Sequence, residues 1–509
     1  MRCLPARAFL VVLAGAAHGS TPFAFNLPSG SHAVGLRVVL QYDYSRTYRG
    51  AVDILGRPYT GERARPIQTL IWYPAEAFGA RLKFGDYTAL FASEQEFAAS
   101  PDRAAAVVAE ARGRFDADSD APMQAIRDAK PAPGRYPVVI YAPSLSAPAF
   151  ENADLCEYLA SFGYVVVASP DMGAHTRGMT ADLEGVEVQA QDISFLIGFV
   201  RTLPQADASA IAVGGFSWGG ISNLFAAARD NRIRALIMYD SSARYFPKLI
   251  EESKYVVPEN VTIPVLFFTQ KEIPLEGLSG TPMVSGANAL KRLTHCDLTT
   301  VRMHAMEHRH FSSLFDRSPK VWSTLSQGDY SPEEISESYA WVARYTERFL
   351  AAWFKGDAAA QEFLAATPAK NGVRAHLLAV DRRPAKGAPA TIESFTSELG
   401  TKGFSHAAEV YAAMKAADKD FKLEEQKINQ WGYALMADDH VPEAIEVFKL
   451  NTTLYPDSAN TYDSLAKSYE RSGQKALAIQ FYEKSLQMNP DDQNGKEHLK
   501  KLKSAEPRP

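Results

Sequence analysis

Cysteine is scarce. The chain has three in 509 residues, and the first, Cys3, falls in a segment expected to be removed. Cys156 and Cys296 remain, far apart in sequence; two separate buried thiols are the expectation, although their compartment permits a disulfide. An excess of charge of one sign is also missing. Lys and Arg number 54 against 59 Asp and Glu, a formal net charge of −5. That balance is too even to point to a nucleic-acid partner or an anionic membrane surface. No hydrophobic run reaches the length needed to span a bilayer. Neither a Walker A string nor a G-x-G-x-x-G after a strand occurs, so nothing indicates nucleotide binding, and no cofactor is expected.

What is present begins at the N-terminus. Arg2 and Arg7 precede an apolar run over residues 8–17, which is followed by Ser20, Thr21 and Pro22. A basic start, a short apolar run and small residues read as a secretory signal peptide over residues 1–19, and predict a secreted or periplasmic protein. With 46% hydrophobic and 22% charged residues the chain is ordinary for a globular protein, and its length suggests several domains.

Strands are expected at 33–40 and 69–74. From Tyr136 the pattern becomes regular. Apolar runs at 136–142, 164–168, 211–214, 233–239, 265–268 and 298–303 alternate with helical stretches at 151–162, 189–203 and 221–228. Continuous apolar strands separated by helices predict a mostly parallel sheet covered on both faces, an α/β domain over residues 30–355. Residues 80–130 are Ala-, Glu- and Asp-rich without sustained strand patterning. They read as a helical insertion near the active-site mouth.

The chemistry centres on Gly214-Gly215-Phe216-Ser217-Trp218-Gly219-Gly220, where a β-branched run turns sharply into an Ala-rich helix. Gly215-x-Ser217-x-Gly219 in that context is the layout of a nucleophile elbow, with Ser217 as nucleophile. Gly215 and Gly219 are expected because a side chain there would strike the neighbouring strand or helix. A hydroxyl needs a base to accept its proton. In the α/β-hydrolase fold, which carries such elbows, the acid follows the serine and the histidine comes last. Asp240, directly after the 233–239 strand, is the candidate acid, with Glu272 after the next strand as the alternative. His308, in the loop beyond 298–303, is the candidate base; His304 reads as the strand end and His310 as pointing elsewhere. The N–H groups of Trp218 and of Leu145, in the loop after 136–142, are candidates for an oxyanion hole. One rival uses the same letters: His304-x-x-Glu307-His308 matches the inverted zinc-peptidase string, which needs a helix where strand patterning stands. No metal is expected.

Taken together, Ile67-Gln68-Thr69-Leu70-Ile71-Trp72-Tyr73-Pro74, Gly215-Phe216-Ser217-Trp218-Gly219-Gly220 and His308-x-x-Phe311 make residues 30–350 resemble the platelet-activating-factor acetylhydrolase and dienelactone-hydrolase-like branch of the α/β-hydrolases. The resemblance implies hydrolysis of a small carboxylic ester through an acyl-enzyme. It also supports Asp240 as acid and His308 as base. Where that family usually has a His-Gly pair in the oxyanion loop, this chain has Pro143-Ser144.

Beyond it, 356–423 reads as a helical connector broken near Pro384 and Pro389. Ala444, Phe448 and Pro456 recur 34 residues on as Ala478, Tyr482 and Pro490, a spacing that resembles tetratricopeptide repeats over residues 424–503. A degenerate third repeat is expected within 392–420. So few repeats are expected to pack on the catalytic domain, form a homodimer or meet a protein partner rather than bind peptides alone.

Overall fold

The computed structural model describes residues 23–53, 55–97, 99–115, 117–271, 289–324 and 329–504; the expected signal peptide and Glu272 lie outside them. Two compact units divide between Lys386 and Gly387.

The first unit is built on one sheet of eleven strands: β1 (Ala33–Thr47), β2 (Ala64–Ala75), β3 (Arg81–Lys83), β4 (Pro122–Arg127), β5 (Tyr136–Ala142), β6 (Val165–Ala168), β7 (Ala206–Phe216), β8 (Ile233–Tyr239), β9 (Val265–Thr269), β10 (Leu298–Met303) and β11 (Leu378–Arg383). Their order is β11-β10-β9-β8-β7-β5-β6-β2-β1-β4-β3. The stretch from β10 to β6 is parallel throughout, and helices cover both faces, which makes every side chain of β6, β9 and β2 buried. Two apolar cores result, one on each face. This is the α/β-hydrolase fold.

Two boundaries differ from the sequence reading. Residues 80–130 are not a purely helical insertion. Helices Phe84–Thr88 and Pro101–Phe115 are present, but β3 and β4 pair with each other and β4 runs parallel to β1, so the region also extends the sheet edge. β4 is short, with Met123, Ala125 and Ile126 turned to the core, and its pattern is lost beside the long helix. The α/β unit also runs past residue 355. β11 pairs antiparallel with all of β10, and Val373, Leu377 and Leu378 belong to the main core. The Ala-rich composition of 356–377 concealed the strand that follows it. Cys156 and Cys296 are separate buried thiols.

The second unit is all-helical. Helices Glu425–Ala437, Ala459–Arg471 and Gln493–Ser504 start 34 residues apart, as do Val441–Leu454 and Lys475–Met488. Ala444 and Ala478 let paired helices approach, and Phe448 and Tyr482 fill the space between, all four fully buried. At Gly432 an added Cβ would stand 2.5 Å from the Phe448 ring. Helices Ile392–Lys402 and Ala407–Ala417 form a separate core with the first helix pair, where Phe395, Leu399 and Val410 join Ile428, Val447 and Leu450. The expected connector is thus shared between the two units rather than standing alone.

Candidate active site

Strand register assembles the site. Phe216 lies opposite Tyr239, and Tyr239 opposite Phe268, so β7, β8 and β9 end level with one another. The residues that follow, Ser217, Asp240 and Gln270, therefore emerge together at the carboxyl edge of the sheet, where open α/β sheets carry their sites.

Ser217 turns the chain at φ 53°, ψ −112°, before helix Trp218–Arg229 begins. A non-glycine residue in this region costs about 1–3 kcal/mol and persists only where its surroundings over-determine it. Here they do: Ser217 N–H donates to Tyr239 C=O at 3.0 Å, and Ser217 C=O accepts from Gly220 N–H at 3.1 Å and Ser242 N–H at 2.8 Å. Close approach explains the flanking glycines. A Cβ on Gly219 would sit 2.0 Å from the Ala142 carbonyl oxygen, and one on Gly215 would sit 2.5 Å from the Gly219 backbone.

His308 opens a short 3₁₀ turn, His308–Phe311, soon after β10. Its Nδ1 is 2.6 Å from Asp240 Oδ2 and its Nε2 is 2.8 Å from Ser217 Oγ. An ionised carboxylate only accepts, so Nδ1 carries the hydrogen and Nε2 is left as acceptor for the serine hydroxyl. Asp240 is fully buried while the His308 side chain is about one-third exposed, so the pair joins the sheet edge to solvent. The Phe216 ring lies 4.9 Å from the imidazole, and Phe311 lies 6.3 Å beyond Phe216, a wall that limits the tilt of His308.

Three further residues hold this arrangement and were not singled out from the sequence. Gln270 N–H donates to Asp240 Oδ1 at 3.2 Å, while Gln270 Oε1 accepts the His308 N–H at 3.0 Å. Gln270 Nε2 donates to the Tyr245 hydroxyl at 2.9 Å, and burial raises the Tyr245 pKa, with the charge of Asp240 adding to it. Arg244 Nη1 faces Asp240 Oδ1 at 3.6 Å. Gln270 stands in the same Thr269-Gln270-Lys271-Glu272 string that offered the alternative acid; a polar residue directly after a buried strand was the available signal.

The remaining candidates are dispersed. Met303 ends β10, and His304 N–H donates to Leu377 C=O at 2.8 Å. Glu307 pairs with Lys271 at 2.9 Å, and buried His310 meets Asp316 at 2.8 Å. No helix spans residues 304–308, and both ring nitrogens of His308 are engaged, so the zinc-peptidase string does not assemble as a ligand face. Among the described residues no group of three metal-ligating side chains forms. Trp218 is the first residue of its helix, and Leu145 lies in the turn after β5; neither N–H has an acceptor among the described residues.

No family model matches the chain, and no curated protein does. Among solved structures, a ferulic acid esterase from Streptomyces cinnamoneus is similar over 65% of this chain and 93% of its own, at 19% identity and a TM-score of 0.47.

Proposed function

We propose that the protein is a serine hydrolase of small carboxylic esters. The observation that carries the reading is the continuous hydrogen-bonded line from Asp240 Oδ2 through both nitrogens of His308 to Ser217 Oγ. In this reading Ser217 Oγ attacks the ester carbonyl while His308 Nε2 takes its proton, and buried Asp240 orients and stabilises the imidazolium. The N–H groups of Trp218 and Leu145 donate hydrogen bonds to the oxyanion of the tetrahedral intermediate. His308 then returns the proton to the departing alcohol, leaving an acyl group on Ser217. Water enters by the same base-assisted route and releases the acid. The N-terminal segment supports export to the periplasm or medium, and the 34-residue periodicity supports a tetratricopeptide role in self-association or docking of a protein partner.

The test is hydrolysis of p-nitrophenyl acetate and butyrate by the mature protein, beside Ser217→Ala and a chelator-treated sample. Activity lost in Ser217→Ala and kept under chelation is the expected result. No turnover and no fluorophosphonate labelling of Ser217 would refute the reading.

A further inference from the structure

The turn at residues 143–148 is held by carboxyls that take no direct part in the line from Asp240 to Ser217. Glu151 is completely buried. Its Oε2 accepts the Ser144 N–H at 2.8 Å and its Oε1 the Ser144 hydroxyl at 2.5 Å, while the Tyr141 hydroxyl donates to Oε2 at 3.1 Å. Asp171, also buried, accepts the Ser146 N–H at 2.7 Å, and Ala147 N–H closes the turn on Ser144 C=O at 2.9 Å. Ser146 is fixed at φ 57°, in the left-handed region. The amides of residues 144, 146 and 147 are all engaged, and Leu145 N–H, between them, is left without an acceptor among the described residues.

The same segment reaches the base. Leu314 N–H donates to Glu151 C=O at 3.0 Å, Asn152 Nδ2 donates to Phe311 C=O at 2.9 Å, and Ser313 N–H donates to Asn152 Oδ1 at 2.8 Å. Phe311 closes the turn that His308 opens. One buried segment thus ties the free amide of one loop to the histidine of another.

Resting on the serine-hydrolase reading, we propose that Glu151 is a positioning residue for the oxyanion hole, anchoring Ser144 so that Leu145 N–H stays available, with Trp218 N–H, to the developing oxyanion. Three donors converging on two oxygens suit a carboxylate, which accepts at both ends. Burial raises this carboxyl to about 7, opposed by the Ser144 and Tyr141 donors and by the charge of His308.

Glu151→Ala removes the acceptors of the Ser144 N–H and hydroxyl, whereas Glu151→Gln retains the shape and one acceptor. With p-nitrophenyl butyrate, Glu151→Ala is expected to lose roughly 10²-fold in kcat with KM held within about threefold, the cost of displacing one oxyanion donor. Affinity for an alkyl trifluoromethyl ketone, whose hemiketal on Ser217 carries an oxyanion, should fall in parallel, and Glu151→Gln should be intermediate in both. Wild-type kcat in folded Glu151→Ala, or a kcat loss that ketone affinity does not follow, overturns the proposal. If Glu151→Ala does not fold, Glu151→Gln and Ser144→Ala must show the same parallel loss, and its absence there overturns it equally. Turnover that survives Ser217→Ala would refute the serine-hydrolase reading and this proposal with it. Turnover that needs Ser217 but ignores Glu151 would refute this proposal alone.

Discussion

Asp240→Asn exchanges one oxygen for an NH₂ group and leaves the volume almost unchanged, so its effect isolates electrostatics from packing. The amide has two orientations. Oδ1 of Asp240 faces two donors, the Gln270 N–H at 3.2 Å and the Arg244 guanidinium at 3.6 Å, so the asparagine oxygen belongs on that side. The NH₂ then faces His308 Nδ1, which stands 2.6 Å from the other oxygen in the native protein. Nδ1 must now accept, the ring hydrogen moves to Nε2, and the Ser217 hydroxyl loses its base. Turning the amide over to recover the useful tautomer leaves the buried Gln270 N–H facing a donor, at about 1–3 kcal/mol. Loss of the charged acceptor for the imidazolium adds about 1.5–3 kcal/mol. The sum, roughly 3–6 kcal/mol, corresponds to a fall in kcat of about 10²- to 10⁴-fold. Steady-state p-nitrophenyl butyrate hydrolysis, with circular dichroism to establish folding, measures it, and Glu272→Gln run alongside should stay near wild type. A folded Asp240→Asn within fivefold of wild type would refute the tautomer argument, and a collapse in Glu272→Gln instead would move the acid to Glu272.

Gly219→Ala should abolish activity and lower the thermal midpoint sharply, because its Cβ would enter the Ala142 carbonyl at 2.0 Å and neither backbone can yield; a soluble, active variant would show that the elbow is looser than described. Burial raises Glu94 and Glu157, like Glu151, from 4.5 to about 7. An acid whose folded pKa lies above its unfolded value holds extra protons when folded, so its stabilising contribution is full below 4.5 and is lost as pH climbs through about 7. The thermal midpoint should accordingly fall between about pH 5 and about pH 8, and Glu157→Gln should flatten that fall; an unchanged slope in the variant would remove Glu157 from the account. In the helical unit, Phe448→Ala empties the space between paired helices and should destabilise that unit by about 3–5 kcal/mol. Calorimetry of the full chain should then show an early transition from this unit, with any p-nitrophenyl butyrate hydrolysis retained through it, and a single unshifted transition would refute the assignment.

Local features were legible in the chain because each is a property of a short run of neighbours. The elbow around Ser217 needs a strand, a strained turn with room for no Cβ on either side, and a helix start, and all three are contiguous. The parallel sheet followed from apolar runs separated by helices, and the 34-residue spacing in the C-terminal part followed from helix pairs of constant length. Asp240 and His308 could be named because strand ends are readable and chain order is constrained by the fold.

What the chain alone left undecided depends on partners far away along it. β4 became part of the sheet through pairing with β1 and β3, and β11 through pairing with β10, and short strands at or next to the sheet edge carry too weak a pattern to declare themselves. Gln270 acts through residues 30 and 38 positions away, and Asn152 binds a carbonyl 159 positions away. A polar side chain has no periodicity that marks it as buried; its role exists once the fold has removed water from it and left one set of donors within reach. Sequence by itself therefore determined the strand, sharp turn and helix that carry Ser217 and the layered architecture around them, while tertiary structure decided which amides, carboxyls and aromatic rings surround that turn.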